Sequence, residues 1–322
     1  MTGLAPVGST EPDATGDRFV DLPAGPRLCF RVEGPAGGVP LLLIAGLGLD
    51  LTSWPDRMID GFTGRGFRVV RFDNRDAGRS SRVDAPPPGR VRQLLARPRP
   101  DAYDLADMAA DAIGLLDFLG IDRVHLVGMS MGGMIAQTLA ARHPERVATL
   151  TSIFSTTGSR RVGQPAWSTL VRLAKAPART VEESVERHLA MLAHIGGTSY
   201  LPDETLERAW AATVWDRCGG NRAGAPVARQ IDAIRASGDR TAELRRITAP
   251  TLVVHGDADR MVHPSGGRAT AAAVPGARHV EIPGMGHHLA PGVLDRLVEL
   301  TSELAGAATA PVTPASPTGD PV

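Results

Sequence analysis

Ser130 sits in Gly128-Met129-Ser130-Met131-Gly132-Gly133, directly after the apolar run Val124 to Gly128 and directly before a helical pattern from Met131 to Arg142. A serine on a sharp strand-to-helix turn presents its hydroxyl for attack on an acyl carbon. With 36 glycines in 322 residues, the bare pattern arises by chance in about one such chain in five. Its meaning therefore rests on partners elsewhere. A serine hydroxyl is a weak nucleophile at neutral pH and needs a general base within hydrogen-bond reach, itself oriented by an acid. Pro283-Gly284-Met285-Gly286-His287-His288 follows a β-rich run and offers that base. His287, next to Gly286, is the first choice, with His288 as the alternative. The acid must come from Asp257 or Asp259 in the loop after the run Thr251 to His255, because the preceding strand ends in Ser155-Thr156-Thr157 without a carboxylate.

Acyl transfer also needs two N–H donors for the negative charge that develops on the attacked carbonyl oxygen. The amide of Met131, at the positive end of the following helix, is one candidate. The glycine-rich turn Ala45-Gly46-Leu47-Gly48 follows the apolar run Leu41 to Ile44, and Leu47 N–H is the second. That turn lacks the G-x-G-x-x-G spacing of a dinucleotide site. The remaining histidines do not show zinc spacing. His125 and His255 read as strand or strand-end residues, and His143 as a helix C-terminal cap. No cofactor and no metal are expected.

The elements that must position these groups are short β-rich runs alternating with helical patterns, the signature of a mostly parallel central sheet flanked by helices. The runs are Arg27 to Val32, Pro40 to Ala45, Phe67 to Asp73, Val124 to Gly128, Val147 to Ile153, Thr251 to His255 and His279 to Pro283. Those that are apolar throughout suit strands buried on both faces. Asp104 to Leu119 is the clearest helix: Asp104 can cap it, and Leu105, Met108, Ala112, Leu115 and Leu119 form an apolar stripe. Residues 155–240 break the alternation with helical patterns and no strand, and hold Trp167, Trp210 and Trp215, three of the four tryptophans. This reads as a helical cap over the site, with the tryptophans either lining a substrate pocket or packing the cap. The expected organisation is a tail over 1–17, core over 18–154, cap over 155–240, core over 241–305 and a Pro/Ala/Thr-rich tail over 306–322.

The formal charge is zero, which gives no reason to expect nucleic acid or an anionic membrane as partner. Lys175 is the only lysine; with Ala, Gly and Pro also abundant, codon bias accounts for the arginine excess. Cys29 and Cys218 lack metal-ligand spacing and read as free buried thiols. Neither a signal peptide nor a spanning helix is evident, so a cytoplasmic monomer or homodimer acting on a small molecule is expected.

With these residues in place, the chain resembles the α/β-hydrolase family over Phe19 to Leu304, in the branch containing aclacinomycin methylesterase and carboxylesterase-type lipases. The stretches that carry the likeness are R-F-D-N-R-D-A-G-R-S, D-L-A-D-M-A-A-D-A, G-M-S-M-G-G-M-I-A-Q, P-S-G-G-R-A and P-G-M-G-H, and the order Ser130, Asp259, His287 is the family's. The resemblance implies a helical cap inserted after the sixth strand, Ser130 as nucleophile, His287 as base, Asp259 as acid with Asp257 capping the loop, and Leu47 and Met131 as oxyanion amides. Two positions depart from the pattern: Ala45 stands where the family commonly has His, and Asp76 where Gly often follows the loop arginine. The leading expectation is hydrolysis of a methyl ester, lactone or acyl ester. Acyl transfer, perhydrolysis or a non-hydrolytic rearrangement at the same serine is the alternative, followed by a ligand-binding protein without catalysis.

Overall fold

The computed structural model describes residues 7–9, 11–23, 25–89, 92, 97–174, 177–220 and 224–309. Nine strands form one sheet: β1 (Val7–Ser9), β2 (Arg18–Asp21), β3 (Arg27–Glu33), β4 (Val39–Ile44), β5 (Phe67–Phe72), β6 (Val124–Met129), β7 (Val147–Ile153), β8 (Thr251–Gly256) and β9 (Arg278–Ile282). Their spatial order is β1-β2-β3-β5-β4-β6-β7-β8-β9. The first three strands and the β3–β5 pair are antiparallel, and every pairing from β5 to β9 is parallel. The strand order reverses at β4, between β5 and β6. In such sheets the crevice at the carboxyl ends of the strands near a reversal is where ligands are bound.

Helices cover both faces because β4, β6 and β8 bury apolar side chains on each side. Leu42, Ile44, Leu126 and Val70 pack under α2 (Leu105–Phe118) and α3 (Met131–Arg142), whereas Leu41, Leu43, Val127 and Val254 pack under α1 (Asp56–Thr63) and α10 (Pro291–Thr309). A capping box starts α2: Asp104 accepts from the amides of Ala106 and Asp107, while Asp107 accepts from the Asp104 amide. Between β7 and β8 run four longer helices, α4 (Trp167–Leu173), α5 (Val181–Ile195), α6 (Glu204–Arg217) and α7 (Gly224–Ser237), then the single turn α8 (Thr241–Leu244). A further helix, α9 (Ser265–Ala273), links β8 to β9.

The helical insertion follows Val147–Ile153, which is the seventh strand in chain order once the short edge strand Val7–Ser9 is counted and the sixth without it. Two expected boundaries need correction. Val7–Ser9, inside the expected tail 1–17, pairs with β2 in register Val7↔Asp21. The expected tail 306–322 begins as helix, since α10 runs on to Thr309; residues 1–6 and 310–322 lie outside the described set. Cys29 and Cys218 are both buried free thiols. Among the described residues no helix is long and apolar enough to cross a membrane.

One buried ion network ties the insertion to the sheet. Arg217, at the end of α6, places Nη1 2.7 Å from Asp17 Oδ2, Nε 2.8 Å from Asp50 Oδ2 and Nη2 3.0 Å from Asp73 Oδ2. All three carboxylates are fully buried. Arg31 and Arg79 share Asp17, at 2.6 and 2.7 Å. Burial and the charge of Asp50 push Asp73 up to about 6, against the pull of Arg217 and of the Arg79 and Leu51 amides.

Replacing Arg217 by Met strands buried carboxylates and is expected to destabilise the fold by about 3–5 kcal/mol at neutral pH. A carboxyl raised in the folded chain holds its proton more tightly there than in the unfolded chain, so its contribution is greatest below its ordinary value and is lost as pH rises through about 6. The deficit of Arg217→Met in urea unfolding should therefore shrink on moving from pH 7 to pH 5; a deficit that grows on acidification contradicts this account.

Candidate active site

The chain turns from β6 into α3 at Ser130, whose backbone lies at φ +54° and ψ −120°. A non-glycine residue in that region costs about 1–3 kcal/mol and persists only when its surroundings enforce it. Here they do. A side chain on Gly128 would overlap the Gly132 carbonyl, and one on Gly132 would overlap the Ile44 and Ala45 carbonyls, so strand and helix meet backbone to backbone. Ser130 N–H donates to Ile153 O at 2.9 Å, and Ser155 Oγ donates to Ser130 O at 2.8 Å. The turn is thus held from β7 on both sides.

Ser130 Oγ lies 3.0 Å from His287 Nε2, and His287 Nδ1 lies 2.7 Å from Asp259 Oδ2. These distances make one hydrogen-bonded chain from three separate strand ends. Asp259 is buried, and its Oδ1 accepts the amides of Met261 and Val262 at 2.8 and 2.9 Å. Burial works to raise its pKa, but His287 and His255 beside it prevail and hold it down at about 2. Asp257 points elsewhere, accepting the Gly284 amide at 2.6 Å. His288, the alternative base, turns toward the insertion, with Nε2 3.2 Å from Glu207 Oε1, an ion-pair contact without good hydrogen-bond geometry.

The turn after β4 passes beside the serine: a Cβ on Gly46 would lie 3.3 Å from Ser130 Cβ. Among the described residues neither Leu47 N–H nor Met131 N–H donates to another protein group. Two free amides, one on the residue after Ser130 and one on the turn beside it, are donors able to receive negative charge. Asn74 Nδ2 donates to Ala45 O at 3.1 Å and braces the start of this turn.

Several contributors escaped the sequence reading. Phe154 packs its ring 4.4 Å, centre to centre, from the His287 imidazole and has φ +36°. His255 Nε2 lies 2.8 Å from Val262 O, which calls for the Nε2–H tautomer, and 3.3 Å from Asp259 Oδ2. Only its position four residues before Asp259 signalled this. The insertion grips the histidine loop directly: His287 N–H donates to Ile195 O at 2.7 Å, and Thr198 and Ser199 amides donate to Gly284 O at 2.9 and 3.1 Å. Glu207 also accepts from His188, at 2.7 Å, and is held down at about 2: burial opposes ionisation, and its two histidine contacts outweigh it.

The three tryptophans do not form one wall. Trp167 is 79% exposed on the outer face of α4, which removes it from any enclosed pocket. Trp210 packs its ring at a tilt against His188, 4.9 Å centre to centre, and its Nε1 donates to Thr52 Oγ1 at 3.1 Å, so it serves as a packing bridge between α6 and the core. Trp215 is half-buried near the end of α6, against Gly220.

Comparison with known proteins places these features in company. A family model for the alpha/beta hydrolase fold matches residues 39–290. Rhodomycin D methylesterase of Streptomyces peucetius is 33% identical over 80% of this chain and 87% of its own length. A putative carbamate hydrolase of Variovorax paradoxus is 30% identical over 73% of this chain and 79% of its own. Among solved structures, the enol-lactonase of Burkholderia xenovorans superposes with a TM-score of 0.68 at 26% identity, covering 89% of this chain and 99% of that one.

Asp259 and Glu207 both carry folded-state pKa values below their ordinary ones, 3.8 and 4.5. Their contribution to stability is complete above those ordinary values and is lost as pH falls through about 2. Urea unfolding between pH 5 and pH 2 should show stability falling steadily. Glu207→Gln should be less stable at pH 7 and show a shallower acid limb. An unchanged limb would separate Glu207 from acid sensitivity.

Proposed function

The chain belongs to the α/β-hydrolase family, and from that membership we propose that it is a serine carboxylic ester hydrolase working through an acyl-Ser130 intermediate. The observation that carries this reading is the unbroken relay from Ser130 Oγ through His287 to Asp259, set beside the free amides of Leu47 and Met131. In the first half-reaction His287 Nε2 takes the hydroxyl proton as Ser130 Oγ bonds to the ester carbonyl carbon. The carbonyl oxygen becomes an oxyanion and is received by the two amides. The C–O bond to the alcohol then breaks, and His287 returns its proton to the departing alkoxide. In the second half a water gives its proton to His287 and attacks the acyl carbon; the bond from that carbon to Ser130 Oγ breaks, His287 returns the proton to Oγ, and the carboxylic acid leaves. Asp259 stays ionised throughout, fixing the imidazole tautomer and balancing its positive charge.

For the substrate, the likeness to rhodomycin D methylesterase supports a methyl ester, here of a small lipophilic or polyketide-like molecule. The helical insertion over residues 155–240 acts as the cap that shapes the acyl site. Its grip on the histidine loop at Ile195 and Gly284 makes it part of the site as well as a cover. Ala45, where the family commonly has His, does not remove any group this chemistry needs.

A fluorophosphonate probe should label the wild-type protein at Ser130 and leave Ser130→Ala unlabelled. Equal labelling of both would refute the nucleophile, and labelling of neither would favour a non-catalytic ligand-binding protein. His287→Ala should lower kcat by about 10³-fold or more. On a panel of p-nitrophenyl esters, aromatic methyl esters and carbamates, the aromatic methyl esters are expected to give the highest kcat/KM; a preference for long acyl chains would point to a lipase-like substrate instead.

A further inference from the structure

No side chain in the turn from Ala45 to Gly48 can hydrogen-bond: Ala45 ends in a methyl group, Gly46 and Gly48 have none, and Leu47 is apolar and packs against the core. Apart from the Leu49 N–H bond to Gly46 O at 3.2 Å, its hydrogen-bonded bracing comes from outside. One brace is Asn74, on the Ala45 carbonyl. The other is Gln230, which reaches across from α7 in the insertion. Gln230 is fully buried. Its Oε1 accepts the Gly48 N–H at 2.8 Å, and its Nε2 donates to the Arg75 carbonyl at 2.9 Å. The amide orientation is dictated by its neighbours, since a backbone N–H can only donate and a carbonyl can only accept. Val227, one helical turn earlier, leaves little space above Gly48, where a Cβ would lie 3.0 Å from Val227 Cγ2. Gly48 itself is at φ +68°, so the bend is held at a backbone conformation that suits glycine.

Gly48 is the residue after Leu47, so fixing the Gly48 amide fixes the peptide plane that follows Leu47 and limits rotation of the Leu47 N–H. Arg75, the other partner, lies in the loop after β5, beside Asn74. Gln230 therefore joins three separate segments: the β4 turn, the β5 loop and a helix of the insertion. We infer that Gln230 is a positioning residue for the reaction, holding the Leu47 amide on the developing oxyanion and making that alignment depend on α7 being seated. This rests on the reading of Leu47 and Met131 as the oxyanion donors. Gln230 takes no proton and touches no reacting atom; it acts through the turn. A device of this kind makes the cap a determinant of turnover as well as of substrate choice, because any displacement of α7 loosens a transition-state contact.

The test compares Gln230→Met, which removes both hydrogen bonds at similar volume, and Gln230→Ser, which leaves room for water to satisfy both backbone groups, with Ser237→Ala as a control. Ser237 lies on the same helix, where its Oγ accepts the Leu105 amide at 2.9 Å, and it has no contact with the turn. Misplacing one oxyanion donor, as opposed to deleting it, is expected to lower kcat by about 10–100-fold. KM should stay within about twofold, and affinity for a trifluoromethyl ketone, whose adduct carries the oxyanion, should fall in step with kcat. Ser237→Ala should keep kcat near wild type. The inference is overturned if a folded Gln230 variant retains kcat within twofold, or if the loss appears in KM alone, or if Ser237→Ala loses as much as the Gln230 variants. Should Gln230→Met not fold, Gln230→Ser decides by the same criteria. Failure of the underlying serine chemistry would show separately, as wild-type protein that neither labels with fluorophosphonate nor turns over ester.

Discussion

The structure hangs on the absence of side chains where β6, β4 and α3 meet. Gly128 and Gly132 let a helix start within backbone contact of two strands, and neither position has space for even a methyl group. That contact forces Ser130 into its positive-φ conformation, and hydrogen bonds from Ile153 and Ser155 hold it there. The cost of the strained turn, about 1–3 kcal/mol, is small beside the burial of Leu126, Val127, Ile135 and Leu139 around it. A rigid, two-sided core therefore supplies what an exposed loop could not: a serine oxygen held at a fixed point above the sheet.

Around that point the insertion is tied to the core, and four of its contacts fall on loops that carry these residues or border them. Ile195 holds the His287 amide, and the residues after it pair with the Gly284 carbonyl. Glu207 links His188 of the insertion to His288 of the same loop. Arg217 gathers Asp17, Asp50 and Asp73, and Gln230 holds Gly48. Most of these contacts are charged or backbone-directed, which makes them specific in direction as well as in distance. An apolar interface of the same area would tolerate sliding. These contacts do not, because a displaced Arg217 would leave three buried carboxylates without a partner.

Legibility in the sequence followed the range of the interaction. Runs such as Leu41 to Ile44 and Thr251 to Val254 announced buried strands by composition, and Asp104 announced its helix by a local cap. Ser130, His287 and the Asp257/Asp259 pair were legible because strand-loop chemistry is written in a few adjacent residues. The first two strands were not, because Val7–Ser9 at the sheet edge and Arg18–Asp21 beside it are short segments defined by their partners. The exposure of Trp167 was not legible for a related reason. A tryptophan's type says that it can bury a large face, but its neighbours decide whether it does, and here α4 turns it outward.

The sequence by itself determined the candidate groups, their order and the elements that carry them, since hydrophobic periodicity and glycine placement are properties of neighbouring residues. It also narrowed the acid to two aspartates two positions apart. Only the tertiary structure decided which of them meets His287, because the direction of a loop side chain depends on which amides and rings surround it. Asp259 finds the Met261 and Val262 amides and two imidazoles, whereas Asp257 finds Gly284. The same holds for Gln230 and Gly48, 182 residues apart. No local pattern marks a glutamine in a helix as the support of a distant turn, and only packing of the insertion against the sheet brings them together.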